Sequence, residues 1–236
     1  MTTKFDSDQY ASLYSEGIVA EELTLKPVIL NAVGEVKGSK IVDLGCGDGT
    51  YSKLFAERGA SGVLGIDISD SQIENAKNSN NHSNIKYKVG SIQDVPEDYL
   101  DNTDILFMNM VVPDIGSKES LIKIFENATS VLNEEGRLVF TTLHPLALSP
   151  EQDDWDKVKD FNQKRYFDEG HIIHAEAITG DGNKIEFEDN HFSLTFLSYL
   201  LCNNNFAIRR LVESNTAPDK EMFLPKYILF ECIQRN

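Results

Sequence analysis

Two aspartates and three closely spaced glycines concentrate the readable chemistry of this chain. Asp43 opens the run Asp43-Leu44-Gly45-Cys46-Gly47-Asp48-Gly49, and Asp67 follows 24 residues later in the stretch GIDIS. Glycines at a period of two make a tight turn whose backbone a ligand can approach closely. A dinucleotide fingerprint needs Gly-x-Gly-x-x-Gly, and counted from Gly45 its third place falls on Thr50. A phosphate-binding loop would need a lysine after the last glycine, and none follows Gly49. Asp43 is poorly suited to phosphate. It is well suited to accept hydrogen bonds from an ammonium group or to orient the loop. Asp67, at the end of a second β-rich segment, is placed to take both hydroxyls of a ribose. Asp94, in GSIQDVP, is placed to accept from the exocyclic amine of a base, with Ile92 or Ile68 packed against the ring.

Such a site needs a sheet edge to hold it. Between Lys40 and Leu143 short β-rich segments alternate with helical ones, the pattern of a parallel sheet with crossover helices. The expected strands are Ile41 to Leu44, Val63 to Asp67, Ile85 to Val89, Ile105 to Met110 and Arg137 to Leu143. Helices are expected over Tyr51 to Arg58 and after a capping box formed by Ser69 and Gln72. Leu121, Ile124, Phe125, Ala128 and Leu132 mark a third, ending before a Glu135-Gly136 turn. In an open α/β sheet ligands bind beyond the carboxyl ends of the strands, where Asp43, Asp67 and Asp94 all fall.

After His144 the rhythm changes. The block from Leu146 to Asp168 is polar and acidic and carries Trp155, and Ile172 to Phe187 reads as two strands around a Thr179 to Asn183 turn. A helix over Thr195 to Leu201 and strands over Phe206 to Val212 and Tyr227 to Gln234 close the chain. The expected organisation is a single domain. Residues 1–36 form N-terminal lid and packing helices, 37–143 the cofactor-binding core, 144–191 an inserted substrate cap, and 192–236 a C-terminal helix with a closing β-hairpin.

His144 follows the fifth strand directly, and with a reference pKa of ~6.5 it is the best acid–base candidate. His191 approaches from the cap side, and Asn109 follows the fourth strand; each has a packing role as its plain alternative. His171 and His174 are three apart, so in a strand they face opposite sides and share no metal. Tyr10, Tyr14, Trp155, Tyr166 and Phe167 are candidates to line an acceptor site, and Cys46 is a small residue filling the loop. No metal is expected. Twenty-two basic against 38 acidic residues give a formal charge of -16, which opposes DNA and lipid headgroups as partners and favours neutral or cationic small molecules. Apolar runs are shorter than a membrane span, and the start lacks a basic-then-apolar leader, so a cytoplasmic, non-membrane protein is expected. Oligomeric state is not readable.

The order of strand, Asp-x-Gly-x-Gly-x-Gly, second-strand acid, third-loop acid and Leu-Asn-x-x-Gly turn resembles the class I S-adenosylmethionine-dependent methyltransferases, in particular their small-molecule branch. The stretches FTTLHP, RYFDEG and DNHFSLTFLSYLLCNNNFAIRRL resemble it more loosely. The resemblance implies a Rossmann-like α/β fold: a mostly parallel seven-stranded sheet flanked by helices, with an inserted α+β cap after the fifth strand. It implies S-adenosyl-L-methionine as cofactor, with Asp43, Gly45, Cys46, Gly47 and Gly49 around the methionine part and Asp67 on the ribose. Ile68, Ser91, Ile92, Gln93 and Asp94 would surround the adenine, Asn109 would lie near the methyl, and Tyr14 would act as a lid contact. The implied activity is methyl transfer to oxygen, nitrogen or carbon of a small metabolite. A transfer RNA or protein methyltransferase, a non-catalytic S-adenosylmethionine-binding protein and a nicotinamide-dependent oxidoreductase stay open as alternatives. The motif Asn-Pro-Pro-Tyr, associated with base and glutamine methylation, is absent from NMVVPD, and Asn204-Asn205 replaces the usual Ala-Gly before the closing hairpin.

Overall fold

The computed structural model describes residues 25–145, 156–158, 165–178, 184–214 and 225–235. Residues 25–33 are helical (α1). They are followed by β1 (Lys40–Leu44), α2 (Thr50–Glu57), β2 (Gly62–Asp67), α3 (Asp70–Ser79), β3 (Ile85–Val89) and β4 (Thr103–Met108). Next come α4 (Lys118–Val131) and β5 (Leu132–Leu143). The inserted segment contributes β6 (Asp156–Val158), β7 (His171–Ile178) and β8 (Lys184–His191), and the chain closes through α5 (Leu194–Asn203), β9 (Phe206–Ser214) and β10 (Tyr227–Gln234).

Seven strands form one sheet in the order β3-β2-β1-β4-β5-β10-β9, with β10 antiparallel to both neighbours and the other pairs parallel. This is the Rossmann-like sheet expected from the alternation of segments. Period-two alternation sorts the side chains of the central strands into two cores. Val42, Leu106, Phe140 and Phe230 face α4 and α5, while Ile41, Phe107, Val139 and Leu229 face α1 and α2. Aromatic rings lock both layers: Phe140 stacks on Phe230 at 4.7 Å and Phe55 meets Phe107 edge-on at 5.1 Å. The described part of the insertion is a separate three-stranded antiparallel sheet, β6-β7-β8.

Most boundaries shift by a few residues from the sequence expectation, and three of the differences have a clear local reason. β4 stops at Met108 because Met110 takes a positive φ of 55° and donates its N–H to Thr141 Oγ1. α4 ends at Val131, and buried Leu132 turns extended and starts β5. The Glu135-Gly136 turn is a bulge inside β5: Thr103 pairs with Leu132 but Ile105 pairs with Arg137, and Asn133 ties the looped residues to Asp104. Asn205, at φ 59°, adopts the left-handed turn that asparagine tolerates. Residues 1–24 of the expected N-terminal lid, the expected 179–183 turn and residues 215–224 lie outside the described residues. No helix among the described residues is long and apolar enough to cross a membrane.

Candidate functional site

Strand order fixes where a ligand can enter. From β1 the chain winds outward through β2 and β3 on one side and, after crossing back, through β4 and β5 on the other, so the switch point lies between β1 and β4. At such a point the two loops leave in opposite directions and open a crevice at the carboxyl edge. Asp43, in the last residues of β1, and Gly45, just after it, lie on one side, and Asn109, just after β4, on the other.

The glycine loop is built by its neighbours. Gly45 and Cys46 both donate to Ile66 O, at 2.7 and 3.0 Å, and Gly47 donates to Asp67 Oδ2 at 2.9 Å. Gly45 holds φ 71°, and a β-carbon there would stand 2.4 Å from Val111 Cγ2. Gly49, at φ 81°, caps the start of α2, and its β-carbon would meet the Tyr87 hydroxyl, which is itself held by donation to Asn80 O at 2.8 Å. Val111 on one side and Tyr87 on the other therefore clamp the turn.

Each acid of the trio has a definite position. Asp43 is buried and accepts from Ser52 Oγ of α2 at 2.6 Å. Burial pushes its carboxyl up to about 7; the Ser52 hydrogen bond lowers it, and the charges of Asp67 and Asp48 raise it further. Asp67 accepts from Gly47 N through one oxygen and from Ser69 N through the other, so it anchors the loop and the entry to α3. Asp94 accepts from Ser91 N at 2.7 Å and from Ser91 Oγ at 3.0 Å in a capping box over a 3-10 turn, Ile92–Asp94. Those Ser91 hydrogen bonds hold its carboxyl below the usual range. Gln93 accepts from the same hydroxyl. Of the two isoleucines, Ile68 is 53% exposed beside Asp67, whereas Ile92 is 3% exposed and packs in the main core. Cys46 is buried, and burial pushes its thiol far up, which suits space-filling rather than nucleophilic work.

The Asp43 shift has a measurable consequence. An aspartyl group that titrates near 3.8 when unfolded and about 7 when folded binds more protons in the folded state between those limits. Its contribution to stability is present in full below pH ~4 and is lost as pH rises through ~7. The melting temperature of the ligand-free protein is expected to fall between pH ~5 and ~8, and Asp43→Asn to flatten that slope. Scanning calorimetry across this range checks it; an equal slope in the variant contradicts the assignment.

On the far side of the crevice Asn109 is buried, and its Oδ1 accepts from Thr141 Oγ1 at 2.6 Å. Thr141 in turn receives Met110 N, so β5 sets the course of the segment after β4. His144 is buried, and its Nε2 lies 2.9 Å from Glu213 Oε1, beyond β10 on the edge strand β9. Burial lowers its pKa, opposed by Glu213. Its ring is thus aimed along the sheet edge away from β4. His191 is also buried and lowered by burial; its Nε2 donates to Tyr166 O at 2.9 Å, and its ring lies 5.1 Å from that of His171. Nearby, Glu169 accepts from Ser193 N at 2.7 Å and from Ser193 Oγ, which itself caps α5, so the cap is stapled to the closing helix.

The structure therefore gathers Asp43, Gly45, Gly47, Gly49, Asp67 and Asn109 at one crevice, with Asp94 at the next loop along. His144 and His191 are placed by separate partners. Tyr10, Tyr14 and Trp155 lie outside the described residues. Phe167 is exposed, while Tyr166 packs against His191. His171 is buried and His174 exposed, as opposite faces of a strand require. Among the described residues no group of three or more His, Cys, Asp or Glu is arranged to hold a metal. Sequence reasoning missed Thr141, Glu213, Glu169 and Tyr87 as positioning groups, although FTTLHP, containing Thr141, and RYFDEG, containing Glu169, carried a local signal.

The methyltransferase-domain family matches residues 35–177, more than half of the chain. An uncharacterized protein of Haemophilus influenzae is 26% identical over 166 residues, covering 65% of this chain and 63% of its own length. A ubiquinone biosynthesis O-methyltransferase of Coxiella burnetii is 30% identical over 125 residues, covering 51% of each. The chain thus spans less than two thirds of the length of these relatives. Among solved structures, an S-adenosylmethionine-dependent methyltransferase from Clostridium acetobutylicum superposes with a TM-score of 0.69 at 15% identity, covering 97% of this chain and 99% of that one. Another from Mesorhizobium loti gives 0.65 at 20% identity, covering 90% and 97%. These two likenesses are of fold. Together with the glycine loop at the switch point and the family match over residues 35–177, they lead to one conclusion: the chain belongs to the methyltransferase-domain family, with the class I S-adenosylmethionine-dependent fold.

Proposed function

We propose that this protein transfers the methyl group of S-adenosylmethionine to a nucleophile on a small metabolite. The observation that carries the reading is the crevice between β1 and β4, walled by a glycine turn and two acids on one side and by Asn109 on the other. The residues present fit the cofactor. Val111 and Tyr87 fill the places that β-carbons at Gly45 and Gly49 would take, so the turn stays tight and its shape fixed at the sheet edge. Asp43 supplies a carboxylate for an ammonium group, Asp67 a carboxylate at the sheet edge for ribose hydroxyls, and Ile68 offers exposed apolar surface to an adenine face. When bound, the cofactor supplies an activated methyl on a sulfonium, so no nucleophile on the protein is needed.

The work left to the chain is alignment and exclusion of water. Asn109, held by Thr141, presents a fixed amide near the switch point, and the cap strands cover the segment after β4. The acceptor would bring the lone pair and the bound cofactor would supply the methyl with its sulfur as leaving group, so the chain's remaining task is any acceptor proton, which a base or solvent takes. His191, on the cap side, and His144, though its ring is held by Glu213, are the candidate bases, and burial lowers the pKa of each. An oxygen acceptor is supported by the Coxiella burnetii relative, which is named as an O-methyltransferase. The acidic balance of -16 favours a neutral or cationic acceptor over DNA, and the chain is read as working off the membrane.

Titration calorimetry with S-adenosylmethionine and S-adenosylhomocysteine tests this, and no heat with either at millimolar concentration overturns it. Asp67→Asn keeps one oxygen acceptor and Asp67→Ala keeps none. Affinity is expected to fall roughly tenfold for the first and roughly 100-fold for the second, because alanine also releases Gly47 and Ser69. Unchanged affinity in both removes Asp67 from the site.

A further inference from the structure

Among the described residues three buried side-chain atoms have no hydrogen-bond partner: His171 Nε2, Asn190 Oδ1 and Glu231 Oε2. Glu231 Oε2 has a counter-charge in Arg210 Nε at 3.0 Å. The other two lie one ladder step apart on the cap hairpin, where His171 pairs with His191 and Ile172 with Asn190. Alternation puts them on opposite faces; Asn190 shares its face with half-exposed Ile172, and at the end of that face its Nδ2 reaches the body of the protein, donating to Pro113 O at 3.0 Å. A carbonyl only accepts, so this bond fixes the amide's orientation and makes Oδ1 the other end.

Pro113 belongs to the 3-10 turn Val112–Asp114, which follows Asn109, strained Met110 and Val111. Val111 is the residue packed over Gly45. Asn190 is therefore a hydrogen bond by which the cap grips the segment roofing the cofactor loop, and it holds there an amide oxygen that has lost water without gaining a donor. Such an oxygen is costly to keep empty-handed, which makes a ligand that brings a donor selectively welcome.

We propose that Asn190 orients the methyl acceptor, its Oδ1 receiving an O–H or N–H of the acceptor while its Nδ2 holds the cap to the loop after Asn109. The acceptor class is accordingly a small hydroxyl- or amine-bearing molecule with a hydrogen-bond donor at or next to the nucleophile. This inference rests on the methyl-transfer reading, and its test separates the two. The full chain saturated with S-adenosylhomocysteine is titrated with catechol against its dimethyl ether, veratrole, and with aniline against N,N-dimethylaniline. The native protein is expected to bind the donor-bearing member of at least one pair about tenfold more tightly. Asn190→Leu is expected to erase that preference when each variant is first saturated with S-adenosylhomocysteine, so that any cofactor affinity lost with the Pro113 bond does not enter the comparison, and Asn190→Ala serves if leucine disturbs the fold. No donor preference in the native chain, or the same preference in the variants, overturns the role of Asn190. Absence of S-adenosylhomocysteine binding by the native chain would instead defeat the methyl-transfer reading itself.

Discussion

Replacing Gly45 with alanine is expected to weaken S-adenosylmethionine binding by roughly 100-fold or more, equivalent to about 2.7 kcal/mol. Two costs combine at this position. A residue with a β-carbon held at φ 71° costs about 1–2 kcal/mol in the left-handed region. The same β-carbon would stand 2.4 Å from Val111 Cγ2, so the segment after β4 must retreat from the loop. Because that segment also carries Asn109 and meets the cap at Pro113, its retreat disturbs both walls of the crevice. The two costs are separable. Gly45→Ala combined with Val111→Ala should recover the steric part and leave the backbone part, a non-additivity that a double-mutant cycle on cofactor affinity measures. Strict additivity of the two substitutions would show that Val111 does not seat the loop. Gly49→Ala is a weaker relative of the same experiment, since Tyr87 can swing away at the cost of its bond to Asn80.

The contrast between these glycines and the rest of the site explains what could be read in advance. Asp43, the glycines and Asp67 were legible because their meaning is local: a turn after an apolar run and an acid ending the next one place themselves at the same sheet edge. The strands were legible for the same reason, each carrying its own pattern. Thr141 and Asn190 fall inside stretches with a looser family resemblance, but nothing local distinguishes them there, and Glu213 lies outside any such stretch. Thr141 matters because β5 lies beside β4, and Glu213 because β9 runs parallel to β5 two strands away, relations between segments 32 and 69 residues apart. Tyr87 reads as an ordinary strand residue in IKYKV, and only the packing of β2 against β3 shows it filling the space left by Gly49 and Gly65. The bulge at Glu135-Gly136 was seen as a turn, but whether a turn ends a strand or interrupts one depends on the neighbour's register.

Glu231→Ala is expected to be the most destabilising single substitution outside the site, at about 3–4 kcal/mol. Glu231 sits on β10, 1% exposed, with Arg137 Nη1 at 3.3 Å, Arg209 Nη1 at 3.5 Å and Arg210 Nε at 3.0 Å. Arg137 also donates to Ala32 O and Val33 O at the end of α1, where a cation complements the helix dipole, and Arg210 donates to Asn31. The carboxylate is therefore the counter-charge that lets two arginines reach from the sheet to α1. Its removal leaves half-buried Arg137 without compensation, and for a chain of this length the melting temperature should fall by roughly 10 °C. Exposed ion pairs are screened by salt and worth little, so Arg209→Ala, which removes the most exposed of the three, should cost under ~1 kcal/mol. Amide exchange gives an independent readout: residues 25–33 should lose protection in Glu231→Ala more than β1 or β4 does. Arg137→Met in the Glu231→Ala background should restore part of the loss, because it removes the stranded charge while keeping the apolar stem against α1. If the double variant is no more stable than Glu231→Ala alone, the cost lies in packing at β10 and not in the uncompensated cation.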